Sequence, residues 1–290
     1  MQEIALKESD ISKLKRYPLD GIWSTESEIL YYKKDKDWNK SILIKKLFFT
    51  EEKKVQRKID TIKTIQNSEL SEYKELVLPE DIIVVGGINS GFTIPEVTNS
   101  DNLALILKNK RIHDRDKLKI LKKIGRLIHR VEEQSQEFYF GDVQEFNFLV
   151  DKDGNIYVID LDSSAVNRKT PLETKYIIID KKTHSVNKYK VNKAGRSYPS
   201  KNIDIFCYNT MILNYLAGRS VTSFTDNEYY EYIEYLKKIG IPKSMIDIYL
   251  NNYTDKDNEL VFDYLDEIPS VPRADYKVFQ KLKKYSNKKV

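Results

Sequence analysis

The chain has 290 residues, a formal net charge of +5 and basic and acidic residues that are interspersed, so lysine frequency alone supports no nucleic-acid role. One cysteine, Cys207, excludes a disulfide framework and fits a reducing cytosol, and three scattered histidines with one cysteine cannot make an ordinary zinc site. No signal-peptide pattern and no apolar run of membrane-spanning length is present, so the expectation is a cytoplasmic protein with no membrane partner.

In chain order, DGIWSTESEILYY (Asp20 to Tyr32) reads as a polar hairpin turn with one glycine, Gly21. SILIKKLFF (Ser41 to Phe49) reads as a strand. On it Lys45 shares a face with Leu43 and Leu47, so its stem runs along apolar surface and its ammonium emerges into a cleft, while Lys46 points to solvent. Glu51 to Asn67 has helical spacing at Val55, Ile59, Ile62 and Ile65. From Leu76 to Val97 two extended runs follow, separated by the turn signals Gly86-Gly87 and Asn89-Ser90-Gly91. Asn99 to Leu107 leads to a helix from Asp116 to Gln134, capped by Asp114 or Asp116, with Leu118, Leu121, Ile124, Leu127, Ile128 and Val131 on one face.

The next segment is the most informative: FYFGDVQEFNFLVDKDGNIYVIDLDSS, from Phe138 to Ser164. Phe148 to Val150 and Ile156 to Ile159 flank Asp153-Gly154, a strong hairpin signal. Asn147 enters the first strand and Asp160 leaves the second, so both arrive at one end of a rigid element, where hard oxygen donors suit magnesium. Asp142, in the loop before, can accept the proton of an attacking hydroxyl or orient it. Asp151 and Asp153 read as turn formers. Beyond it, Lys175 to Val191 alternates about DKKTH as a second hairpin, and helical spacing recurs after Tyr198-Pro199 and over Asp226 to Lys238, Lys243 to Asn252 and Asp257 to Glu267.

Asp142, Asn147 five residues on and Asp160 after the hairpin resemble the catalytic loop and metal motif of the protein kinase superfamily, and Ile42-Leu43-Ile44-Lys45 resembles its strand lysine motif. The Gly141-Asp142 form is similar to aminoglycoside and choline kinases and to atypical bacterial kinases. The resemblance implies an α+β, bilobal kinase-like fold. Residues 1–97 would form a small antiparallel β lobe with one helix, and residues 98–290 a larger, mainly helical lobe. It implies Asp142 as catalytic base, Lys45 on the nucleotide phosphates, Asn147 and Asp160 on Mg2+, and Asp162 as a second candidate for the metal. Ile94 would back the adenine pocket of ATP, with Glu96 and Val97 in the linker, Val97 being the donor because Pro95 has no amide hydrogen. Asp204 would be the structural aspartate that ties its helix to the catalytic loop.

The chain departs from the family at several points. Phe140 and Gly141 replace His-Arg, Asp160-Leu161-Asp162 replaces Asp-Phe-Gly, and Gln144 stands where serine/threonine kinases carry Lys. No glycine-rich loop is present, which leaves Ser24, Thr25 and Ser27 as the backbone cover for phosphates. The helix position that should carry the acidic partner of Lys45 is Lys58, with Glu52 or Asp60 as substitutes. With no arginine at Gly141, switching by loop phosphorylation is not expected. The expected function is transfer of the γ-phosphoryl group of ATP to a hydroxyl on a protein. A small-molecule acceptor and a pseudokinase interaction module are the alternatives.

Overall fold

The computed structural model describes residues 1–18, 27–34, 41–48, 51–135, 138–166, 175–179, 186–190, 201–218, 220–221, 226–251 and 259–271. The protein is α+β. It divides into two compact units, the first formed by the described parts of 1–103, 135–141 and 146–172, the second by the described parts of 104–134, 142–145 and 173–290. The hairpin after Asn147, expected with residues 98–290, therefore clusters with the N-terminal strands.

In the first unit, strands β1 (Glu3–Leu6), β2 (Ser27–Lys34), β3 (Ser41–Leu47), β4 (Ile82–Val85) and β5 (Ile88–Pro95) form one sheet in the order β1-β4-β5-β3-β2. The sheet is antiparallel except at β1, which pairs parallel with β4 and is preceded by no sequence expectation. Two bonds zip this edge: the Ile82 amide donates to the Gln2 carbonyl at 2.8 Å, and the Gln2 amide donates to Asp81 Oδ1 at 3.0 Å. A one-turn helix, α1 (Glu8–Ile11), follows β1, so the expected single helix of this region is joined by a second.

The two sheet faces are filled separately, as strand periodicity requires. One buries Leu30, Ile44, Ile83 and Val85 with Ile11, and the other buries Leu47, Ile82 and Phe92 against Val55 and Ile59 of α2 (Glu52–Gln66). Lys45, two residues before Leu47, belongs to the α2 face. Gly91 on β5 lies opposite Lys46, and a side chain there would collide with the Lys45 carbonyl oxygen. The glycine thus lets β5 close on β3 beside the lysine.

The chain turns at Asn99 (φ 57°), forms strand β6 (Ser100–Asn102) and then enters α3 (Leu103–Lys108). β6 pairs with β8 (Phe148–Asp151), and β8 with β9 (Ile156–Val158), while β7 (Phe138–Tyr139) pairs with β10 (Ala165–Val166). The β8–β9 turn is held by Asp151, whose Oδ1 accepts from the amides of Asp153 at 2.9 Å and Asn155 at 2.8 Å.

In the second unit, α4 spans Asp114–Gln134 and buries the whole expected apolar face. Its amide bonds reach back to the His113 carbonyl, so Asp114 and Asp116 lie inside the first turn rather than capping it. There they complement the positive helix end. Helices α5 (Lys201–Ala217), α6 (Asp226–Lys238) and α7 (Lys243–Asn251) follow, and the expected last helix is a 3-10 stretch, Val261–Glu267. The Tyr208 hydroxyl of α5 donates to the Leu121 carbonyl of α4 at 2.8 Å. Strands β11 (Lys175–Ile179) and β12 (Val186–Lys190) pair antiparallel as expected, their turn lying outside the described residues. So do Ser24, Thr25, Tyr198-Pro199 and the basic tail. Among the described residues no helix is long and apolar enough to cross a membrane.

Candidate active site

Lys45 reaches Asp160 across 115 positions of sequence, its Nζ donating to Asp160 Oδ1 and, at 2.6 Å, to Asp162 Oδ1. The period-2 geometry of β3 aims the lysine at the α2 face, and the end of β9 delivers the aspartates there. The second oxygen of Asp162 accepts from Lys58 Nζ of α2 at 2.8 Å, and that ammonium also donates to Ser163 Oγ at 3.1 Å. The side chains of Asp162 and Lys58 are each only 1 % exposed, that of Lys45 9 %, while Asp160 keeps 33 %. Two cations and two carboxylates are thereby packed into one cluster whose open corner is Asp160.

The expected helix acids do not take part. Glu52 is exposed, and exposed Asp60 accepts from its own helix neighbour Gln56 at 2.8 Å. Lys45 draws its acidic partners from the motif, and α2 contributes a cation where an acid was sought. Asp162, expected as a spare metal ligand, is committed to two lysines.

Sequence periodicity held the signal for Lys58. It lies three residues after Val55 and four before Ile62, inside the buried stripe of α2. Lysine at such a position is buried only when paired.

Asp160 has left-handed backbone, φ 68° and ψ 32°, and opens the 3-10 turn Leu161–Ser163. An aspartate tolerates this region better than most residues, but the strain marks a position fixed by more than local preference. Gly141 shares that handedness at φ +72°, and a Cβ there would make only ordinary contact, 3.5 Å from the Ser163 carbonyl. Glycine is thus demanded by the backbone alone. Gly141→Ala is expected to cost about 1–2 kcal/mol in urea unfolding without loss of the fold.

Burial of Asp160, beside the Asp162 charge, outweighs the pull of Lys45 and raises its carboxyl to about 6. For Asp162 burial alone would act the same way, but Lys45 and Lys58 hold it well below the ordinary carboxylate range. For Lys45 burial alone would lower the ammonium, and Asp160 and Asp162 override it upward. The two aspartates have opposite linkage. Stability from Asp162 is present above the ordinary carboxylate value and is lost on acidification below it. Stability from Asp160 is full below that value and is lost as pH rises through about 6. Asp160→Asn, neutral throughout, is therefore expected to melt above the parent near pH ~7.5, with the gap closing near pH ~5, in paired thermal scans.

Asn147 is largely buried, and its carbonyl accepts from the Ile159 amide at 3.0 Å, which sets it beside the residue preceding Asp160. No group of three or more His, Cys, Asp or Glu side chains suited to a metal occurs among the described residues. One carboxylate and one amide oxygen still fit magnesium, which takes few protein ligands and fills its shell with phosphate and water. On β5, Ile94 lies opposite Leu43 of β3. The Glu96 amide donates to the Ser41 carbonyl at 2.9 Å, continuing the ladder past Pro95, and the Val97 carbonyl accepts from Ser100 Oγ at 2.7 Å. Ser27 is a buried residue of β2 opposite Leu47.

Within the second unit, Gln144 Nε2 donates to Asp142 Oδ2 at 2.8 Å, and Asp204 is fully buried in the first turn of α5. Burial and then the charges of Asp204 and Asp142 push the Cys207 thiol up, which places both carboxylates within electrostatic reach of one residue of α5. Sequence spacing alone gave no link between Cys207 and either aspartate. No protein-family model matches the chain, and no curated protein matches it.

Proposed function

We propose that the chain is an ATP- and magnesium-dependent phosphotransferase of kinase-like, bilobal architecture. The observation that supports this reading is the meeting of Lys45 with Asp160, the two residues that the kinase resemblance assigns to the nucleotide phosphates and the metal. Lys45 neutralises nucleotide phosphate charge when it exchanges its Asp160 contact for phosphate oxygens. Asn147 and Asp160 would hold magnesium, which when bound supplies further neutralisation of the phosphates. Asp142, steadied by the Gln144 amide, orients the acceptor hydroxyl and takes its proton.

A protein serine or threonine is the acceptor we favour, since the buried Asp204 at the start of α5 matches the kinase-like expectation for that helix. A small-molecule acceptor is the second reading, favoured by the left-handed Gly141 in place of arginine. A generic protein substrate and an aminoglycoside panel, each offered with labelled ATP, separate the two.

Binding is tested without any acceptor. Magnesium-ADP at one hundred times its dissociation constant should stabilise the folded protein by about 2.7 kcal/mol, raising the melting temperature by roughly 5 °C. No shift at millimolar nucleotide would favour an interaction module that has lost the site.

A further inference from the structure

We propose that Lys58 is a positioning residue that anchors Lys45 through Asp162, taking the place of an acidic side chain from α2. This rests on the phosphotransferase reading for its consequence but on geometry for its existence. Asp162 binds a different lysine with each oxygen, Lys45 at 2.6 Å and Lys58 at 2.8 Å, so its carboxylate is held at both ends. Lys58 is held in turn by Ser163 Oγ at 3.1 Å and by the apolar stripe of α2 around it. The path from helix to strand therefore runs cation, carboxylate, cation. Asp160, the least buried member of the cluster, lies outside this path.

The arrangement has a chemical logic. A lysine facing phosphate must stay charged and stay placed after its open-side partner turns away. An acidic helix residue would do both directly, at the cost of competing with phosphate for the same ammonium. Here the anchoring carboxylate divides its attraction between two ammonium groups. Loss of Lys58 would remove the helix-side tether of Asp162, leaving the carboxylate to Lys45 and to its bond with Asp160.

The test compares Lys58→Met, Lys58→Arg and the helix-acid control Glu52→Gln/Asp60→Asn, with Lys58→Gln standing in if the methionine variant does not fold. Trace acetylation of the nucleotide-free proteins with acetic anhydride, read at Lys45 by mass spectrometry, should fall about fivefold in Lys58→Met, because the Asp162 carboxylate no longer shares its charge with a second ammonium and holds Lys45 in its unreactive protonated form. It should stay within about twofold of the parent in Lys58→Arg and in the control. Unchanged labelling in the methionine or glutamine variant overturns the anchor.

In calorimetry, Lys58→Met should weaken magnesium-ADP binding about tenfold, and in a Lys45→Met background it should add nothing. A full further loss in that background means that Lys58 acts otherwise than through Lys45, and the proposal fails. If the parent itself binds no magnesium-ADP, the phosphotransferase reading fails, while labelling at Lys45 still decides the anchor by itself.

Discussion

Asp162→Ala is expected to lower the unfolding free energy by about 3–5 kcal/mol, because it leaves two ammonium groups in the interior without their shared counter-charge. Lys58 has no solvent to turn to, being 1 % exposed at the side chain, and the Ser163 Oγ that accepts from it is neutral. Lys45 keeps Asp160, so the larger part of the loss falls on Lys58. Adding Lys58→Met to Asp162→Ala removes the stranded charge and should restore about half of the lost stability, a non-additivity that separate sites do not show. Urea unfolding of the two single variants and the double variant checks this. Equal and additive losses would mean that the contact carries no coupling.

Asp142→Ala carries the second large effect, on rate instead of stability. A positioned general base contributes roughly 10²–10⁴-fold, and the variant should lose at least that much phosphoryl transfer while melting close to the parent. Its side chain takes a bond from Gln144, two residues away, and removing it opens no apolar core. Gln144→Ala separates orienting from proton transfer. It should lower the rate by a smaller factor, since Asp142 keeps its carboxylate and loses only one donor. Single-turnover rates with saturating ATP distinguish the two variants, and an Asp142→Ala protein as fast as the parent would remove Asp142 from the chemistry.

Local rules made much of this legible in the sequence. Strand alternation placed Lys45 with Leu43 and Leu47, and the Asp-Gly turn brought Asn147 and Asp160 to one hairpin end. Both are short-range facts that a sequence states directly. The parallel strand β1 was not legible, because its pairing partner lies far along the chain and its own alternation covers only Ile4 and Leu6. Strand β6 after the left-handed turn at Asn99 was hidden as well, since Ser100-Asp101-Asn102 is polar throughout and shows no strand alternation.

The acidic partner of Lys45 was sought on α2 because expectation followed the resemblance, and the side chains followed the charges instead. A lysine set in the buried stripe of a helix demands a carboxylate, and Asp162, 104 positions away and expected at the metal, supplies it. Treating Lys58 as a charge to be satisfied, not as a missing glutamate, would have found the bridge.

The central claim is that Lys45 and Asp160 meet in order to handle a nucleotide. Transfer of label from γ-labelled ATP, followed with and without magnesium for the parent and for Asp160→Ala, tests it most directly. The account predicts magnesium-dependent transfer by the parent and none by a variant that remains folded. Transfer by Asp160→Ala at the parent rate, or transfer by the parent that ignores magnesium, would contradict it.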